Sequence, residues 1–224
     1  MPDFMEDVNV HTVYKNKGPK TDFNSYRGLF ILSVLRTIKE KIVHSNIYDK
    51  VQESMSDSQV GATKGRSIRN HLFVLNSVLN EVKQTNKSGI DIQIYDVRKC
   101  FDELSLTECV NDLYEAGVQD DKLNSIYNGN INNNMAVKVP SIGLTERKSI
   151  TKKVTQGGPF GPTMCAVSID KIGKETIQRN EYNYIYKENI KIPPLSLIDD
   201  LLTIVECGCK SVEVKFLHIY SSWS

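Results

Sequence analysis

Apolar and polar residues alternate cleanly in only one long stretch of the chain. In "IDIQIYDV", Ile90, Ile92 and Ile94 fall on one side, and a strand is predicted to end near Asp96. Elsewhere the apolar positions recur mostly at three and four. Ile31, Val34, Leu35, Ile38, Ile42 and Val43 predict a helix that Ser33 caps and that runs to about Tyr48. Leu72, Leu75, Val78, Leu79 and Val82 predict a second helix capped by Ser67. Leu106–Ala116, stopped by Gly117, and Asp120–Tyr127 are shorter helices. Met164, Val167, Ile169 and Ile172 predict another, with Pro162 in its first turn.

Shorter extended pieces fill the rest. Val10–Tyr14 and Tyr26–Phe30 flank a basic loop at Lys15–Asp22. Ser56–Arg66 is polar and glycine-bearing and reads as a loop, and "NGNINNN" reads as a turn. Ala136–Val139 and Ser149–Thr155 form a hairpin around Gly143. "EYNYIYK" and "IKIPPL" are short strands, and "IPPLSLIDDLLTIV" is a β-hairpin with Asp199 and Asp200 at its turn. Helices mixed with hairpins rather than alternating βαβ units indicate an α+β fold.

Composition narrows this only slightly. The 224 residues are 40% hydrophobic and 25% charged, ordinary for a globular chain, and the formal net charge is +1. Residues 1–90 are mildly basic and the remainder mildly acidic. Five widely spaced cysteines and no signal-peptide pattern predict reduced thiols in an intracellular compartment, nucleus or cytoplasm left open. The lone Cys207-Gly-Cys209 lacks the partner pair that a zinc site needs. No apolar run reaches the roughly 18–20 residues that span a membrane, so no membrane partner is expected.

The carboxylates carry the chemistry. Two like charges about 4 Å apart repel by roughly 4 kcal/mol at an effective dielectric near 20. An isolated Asp-Asp is commonly an exposed turn. Here both flanks are apolar strand, which calls for compensation by protonation or by a dication. A strand ending in Asp96 beside a hairpin tipped by Asp199 and Asp200 would gather three acids. Three acids around two Mg2+ ions is an arrangement that serves nucleotidyl transfer. Asp102, beyond Phe101, reads instead as a cap or anchor before the following helix.

"YDVRKCFD", "TQGGPFGP" and "LIDD", in that order, resemble the palm motifs of reverse transcriptases, most nearly those of non-LTR retrotransposons. "YKNKGPKTDFNSYRGLFILSVLRTIKEKI" resembles their fingers, and "DSQVGATKGRSIRNHLFVLN" the segment that follows. The resemblance implies fingers over 1–90, a palm over 91–215 with a fingers insertion around 120–155, and a tail at 216–224. It implies an antiparallel palm sheet packed on helices, and no thumb. Asp96, Asp199 and Asp200 match the metal-binding carboxylates. The cofactor would be two Mg2+ ions, with Mn2+ as a substitute. Phe101 matches the aromatic under the incoming sugar, which would exclude a 2′-hydroxyl and argues against an RNA-templated RNA polymerase. Gln156 and Gly157 match the pair beside the incoming nucleotide, where glycine allows close backbone approach.

Arg27 matches the fingers arginine on the triphosphate, suited by its two-pronged donor fork. Either Lys15 or Lys17 matches the fingers lysine. Lys64, Arg66 and Arg69 are candidates for template-backbone contacts or for ordinary surface solvation. Leu197 departs from the pattern, which usually has an aromatic there. The implied activity is RNA-directed DNA polymerisation from a retrotransposon, with RNA template, DNA primer and dNTP as partners and the oligomeric state open. The alternative is a truncated, inactive retroelement fragment with at most weak RNA binding.

Overall fold

The structure is a computed structural model that describes residues 3–85, 89–96, 100, 104–139, 143–151, 154–155, 157–178 and 183–207. Phe101, Asp102 and Gln156 lie outside the described residues. The elements begin with a single helical turn α1 (Asp3–Glu6), strand β1 (Asp7–Tyr14), a 3-10 turn at Phe23–Ser25 and strand β2 (Tyr26–Leu32). Helices α2 (Val34–Ser54) and α3 (Ile68–Thr85), strand β3 (Ile90–Asp96) and helices α4 (Leu106–Glu115) and α5 (Asp120–Asn130) follow. Strands β4 (Asn132–Val139), β5 (Gly143–Leu144) and β6 (Lys148–Thr151) lead to helix α6 (Phe160–Gln178). The last four strands are β7 (Tyr184–Tyr186), β8 (Ile190–Ile192), β9 (Leu195–Leu197) and β10 (Asp200–Glu206). The mixture is α+β, as the pattern predicts.

The chain divides into two interleaved units, Met1–Ser54 with Lys99–Cys165 and Met55–Arg98 with Ala166–Ser224. In the first unit β1 pairs antiparallel with β2 and parallel with β4, and β4 pairs antiparallel with β5 and β6. Val8, Ala136, Ile47, Val51, Leu106, Leu113 and Ile126 are buried there. Ser33 caps α2 as expected, its hydroxyl accepting from the Arg36 N–H at 3.2 Å.

Two sequence readings change here. The apolar stripe of α2 faces outward, with Val34, Leu35, Ile38 and Ile42 all about half exposed or more. The buried side carries Arg36 and Glu40 in this half of the helix, with Ile47 and Val51 further along. Arg36 is 1% exposed, and its guanidinium reaches Glu40 at 2.7 Å, Asn133 at 2.6 Å and Thr155 at 3.1 Å. The "NGNINNN" tract is the end of α5 and the start of β4, not a turn. Its buried Asn130 and Asn133 supply acceptors and donors to Thr155, Arg36 and one another.

In the second unit β10 is the central strand, antiparallel to both β3 and β9, and β7 and β8 form a separate hairpin. Val78 of α3, Tyr184 of β7 and Ile204 of β10 make a buried cluster, with Leu75, Val82, Ile90 and Leu202 packed against it. Of the alternating stripe of β3 only Ile90 packs on this cluster; Ile92 and Ile94 are 41% and 75% exposed, so the alternation marks the strand but not a buried face. Glu81 of α3 fixes the β7–β8 turn by accepting the Lys187 N–H at 2.9 Å.

Candidate functional site

The second unit brings the three sequence-predicted carboxylates to one end of its sheet. Asp96 is the last residue of β3 and Asp200 the first of β10, and they are direct cross-strand partners. Directly opposed residues share a face with Cβ atoms about 4.5–5.5 Å apart. Asp200 is also the partner of Leu197, so β9 and β10 are joined by the two residues Ile198 and Asp199. The turn thus sits one residue earlier than the sequence reading places it. Asp199 occupies it and Asp200 opens the strand.

Asp199 is half-buried, whereas Asp96 and Asp200 are exposed. Burial pushes the Asp199 carboxyl above its ordinary range, and the charges of Asp200 and Asp96 push it further. A hydrogen bond from its own backbone N–H acts in the opposite direction. Among the described residues the charges that act on it are those of Asp200 and Asp96, both negative. Among the described residues no three His, Cys, Asp or Glu side chains are drawn together closely enough to hold an ion as they stand. The donor chemistry nevertheless suits a hard dication, because three carboxylates at one end of the sheet offer oxygen ligands and negative charge.

The turn itself is unusual. Ile198 has φ +59°, a region where a β-branched residue is an outlier. A hairpin turn with positive φ at its first central position ordinarily takes glycine there. Such a conformation costs about 1–3 kcal/mol and persists only where its surroundings over-determine it.

Those surroundings are a segment that the sequence reading treated as a polar loop. Residues 58–60 lie along β9 as an extra parallel rung, with Val60 N–H donating to Ser196 O and Ser196 N–H to Ser58 O, both at 2.9 Å. Gln59 is fully buried. Its Oε1 accepts from the N–H of Ile198 at 2.9 Å and of Gly61 at 2.8 Å, and its Nε2 donates to Ile198 O at 3.2 Å. Nothing in hydrophobic periodicity marks this glutamine. The only available signal is a Gln-x-Gly inside a segment that resembles a known motif.

Arg66 belongs to the same brace. Its guanidinium donates to Ser56 O, to Gln59 O at 3.1 Å and to Asp57 at 2.8 Å. These three contacts are all to its own loop. Lys64 and Arg69 are exposed.

The first unit holds the remaining candidates. Arg27 lies on β2 opposite Val13 and is exposed. The Lys15 ammonium donates to Asn24 O at 2.9 Å, while Lys17 is exposed on the following turn. Gly157 has φ +87°, and a Cβ there would overlap Phe30 O and lie 3.2 Å from Phe30 C. A Cβ on Gly158 would overlap Glu40 Oε2. Packing within the unit therefore already requires glycine at 157, whereas at 158 the close atom is the end of the Glu40 side chain.

The match to a family model decides the identity. The model for reverse transcriptase (RNA-dependent DNA polymerase) covers residues 16–218. The chain belongs to the reverse transcriptase family. No curated protein sequence matches it. Among solved structures, this reverse transcriptase chain is similar to apo telomerase from Candida tropicalis truncated from its C-terminal domain, at TM-score 0.60 and 14% identity, over 99% of this chain and 47% of that one. It is also similar to telomerase from Candida albicans in complex with a TWJ fragment of telomeric RNA, at TM-score 0.59 and 13% identity, over 99% and 40%. Apo telomerase from Candida tropicalis matches at TM-score 0.60 and 12% identity, over 99% and 41%. At these identities the likeness is one of fold. The chain spans less than half the length of each. No helix among the described residues is long and apolar enough to cross a membrane.

Proposed function

We propose that the chain is the catalytic core of an RNA-directed DNA polymerase, adding dNTPs to a primer 3′-hydroxyl on an RNA template. The observation that carries the reading is the direct pairing of Asp96 with Asp200 beside Asp199, which sets three carboxylates at one sheet end. Asp96, Asp199 and Asp200 would hold two Mg2+ ions, or Mn2+ in their place. When bound, such ions lower the pKa of the primer hydroxyl and neutralise charge on the reacting phosphate. The chain's own part is to fix the Ile198–Asp199 turn and to bring Asp199 beside Asp96 and Asp200 at the strand ends.

Arg27 suits a triphosphate because its fork donates two parallel hydrogen bonds. Lys17 is the better candidate for the second cation, since Lys15 already donates to Asn24 O. Phe101 and Gln156 keep the roles that the family pattern implies: a flat ring excluding the ribonucleotide 2′-hydroxyl, and a contact beside the incoming base. Lys64 and Arg69 remain candidates for template phosphates, whereas the donors of Arg66 are turned to its own loop.

The motif resemblance favours a non-LTR retrotransposon origin, while the three solved structures named above are telomerases. Identities of 12–14% do not choose between the two. Primer extension on an RNA template with dNTPs and Mg2+ tests the reading. The expected result is extension by the chain, alone or joined to a helical basic thumb, that Asp199→Asn lowers by about three orders of magnitude or more. Phe101→Ala is expected to let ribonucleotides in. RNA binding without extension in either form would leave the alternative, an inactive fragment.

A further inference from the structure

We infer that Gln59 is a positioning residue for the acid site, holding the Ile198–Asp199 turn in its strained form and so fixing where the Asp199 carboxylate stands. The inference rests on the polymerase reading for its functional consequence and on the geometry of the second unit for its structural one.

Three observations converge on the same residue. The first is that the turn does not hold itself. A β-branched residue at φ +59° is strained, and Ile198 stands where glycine would be at ease. The second is that Gln59 grips both sides of that residue. Its Oε1 takes the Ile198 N–H and its Nε2 gives to the Ile198 carbonyl, so one amide reads the backbone of a single residue from both ends. The remaining valences are filled too: Gly61 N–H donates to Oε1 at 2.8 Å, and Nε2 lies 3.4 Å from Ala166 O. A primary amide offers two donors and two acceptor lone pairs. All four are directed here, inside a fully buried site where an unmade hydrogen bond is costly.

The third observation is steric. A Cβ on Gly61 would overlap Ile198 N and lie 2.9 Å from Leu197 C. The loop backbone therefore presses directly on the turn, with no side chain between. The loop is itself held from behind, because Ser56 N–H donates to Asp170 at 3.0 Å and the His71 ring meets Ser58 O at 2.8 Å. Arg66 closes the loop by donating to the carbonyls of Ser56 and Gln59. A device with this many fixed points suits positioning better than simple filling. Apolar packing alone would supply no direction to the two peptide units that meet at Ile198, whereas a bidentate amide holds each of them, the second being the Ile198–Asp199 plane. Asp199 is the next residue, so the orientation of that plane passes straight to its Cα.

Gln59→Met keeps the side-chain length and removes the hydrogen bonds. Hydrogen–deuterium exchange gives a readout independent of activity. The expected result is exchange about tenfold faster at the Ile198 and Asp199 amides, with α3 and α6 protected as in the unchanged chain. In primer extension the half-saturating Mg2+ concentration should rise several-fold, a shift that a mere loss of folded protein does not produce. Ile198→Gly relieves the strain, so the effect of Gln59→Met should shrink to about twofold or less in that background. Gln59→Asn keeps an amide but falls one methylene short, and gives the same local signature if Gln59→Met does not fold.

Unchanged exchange at Ile198 in a folded variant overturns the inference. So does extension with unaltered Mg2+ dependence. A chain that extends no primer while the exchange change holds would remove the polymerase reading and leave the positioning role of Gln59 standing.

Discussion

Asp96 and Asp200 face each other as direct antiparallel partners, at the end of β3 and the start of β10. Like charges so placed destabilise a strand pair, and the fold retains them. That choice makes sense for a site selected to receive cations. It also separates stability from function at one position. Asp200→Asn is expected to stabilise the metal-free chain by about 0.5 kcal/mol, read by urea denaturation, while lowering primer extension sharply.

The buried Arg36–Glu40 pair should behave as a unit. Burial pushes the Glu40 carboxyl up, and the Arg36 guanidinium opposes that shift. Removing one partner strands the other, so Arg36→Met is expected to cost about 3–5 kcal/mol. The double change Arg36→Met with Glu40→Leu should cost clearly less than the two single costs added together. Equilibrium unfolding of the four proteins checks this.

Gly157 is required by its own unit before any substrate is considered. Alanine there meets both a left-handed backbone and the Phe30 carbonyl. Gly157→Ala is expected to cost about 2–4 kcal/mol, combining the backbone penalty with overpacking. A folded variant of unchanged stability that lost only nucleotide affinity would point to substrate approach as the sole constraint.

Two histidines predict how stability depends on pH. Burial lowers the pKa of both His44 and His71 from the ordinary 6.5, and for His71 the Ser58 carbonyl pulls the other way. Below that value the unfolded chain binds protons that the folded chain refuses. Their contribution is therefore complete above roughly pH 7 and is lost as pH falls through 6.5 towards the lowered values. His44 also meets Thr163 Oγ1 at 2.8 Å, which Gln can replace. Denaturation midpoints of the His44→Gln, His71→Gln double variant should be flatter than those of the unchanged chain over about pH 5–7.

The parts of this fold that were legible in the sequence are those whose physics is local. The alternation of Ile90, Ile92 and Ile94 gives β3 and delivers Asp96 to its end. The apolar flanks of Asp199 and Asp200 give the hairpin, and Ser33 and Ser67 cap their helices through short-range hydrogen bonds. What escaped depends on partners far along the chain. The first two turns of the buried side of α2 are polar because Asn133 and Thr155, about a hundred residues on, satisfy Arg36. The Gln59 segment looks like solvated loop because a glutamine with every hydrogen bond made has the same letter as one in water. The asparagine tract misleads for the same reason, since Asn130 and Asn133 are buried and bonded.

The account stands or falls on whether the three acids act together on a cation. Mn2+ binding, followed by the electron paramagnetic resonance signal of the free ion, measures this on the chain itself. The expected result is binding by the unchanged protein that Asp96→Asn and Asp199→Asn each weaken about tenfold or more, the double variant losing it altogether. Binding that is equal in all four proteins, or absent from the unchanged chain at millimolar Mn2+, would contradict it.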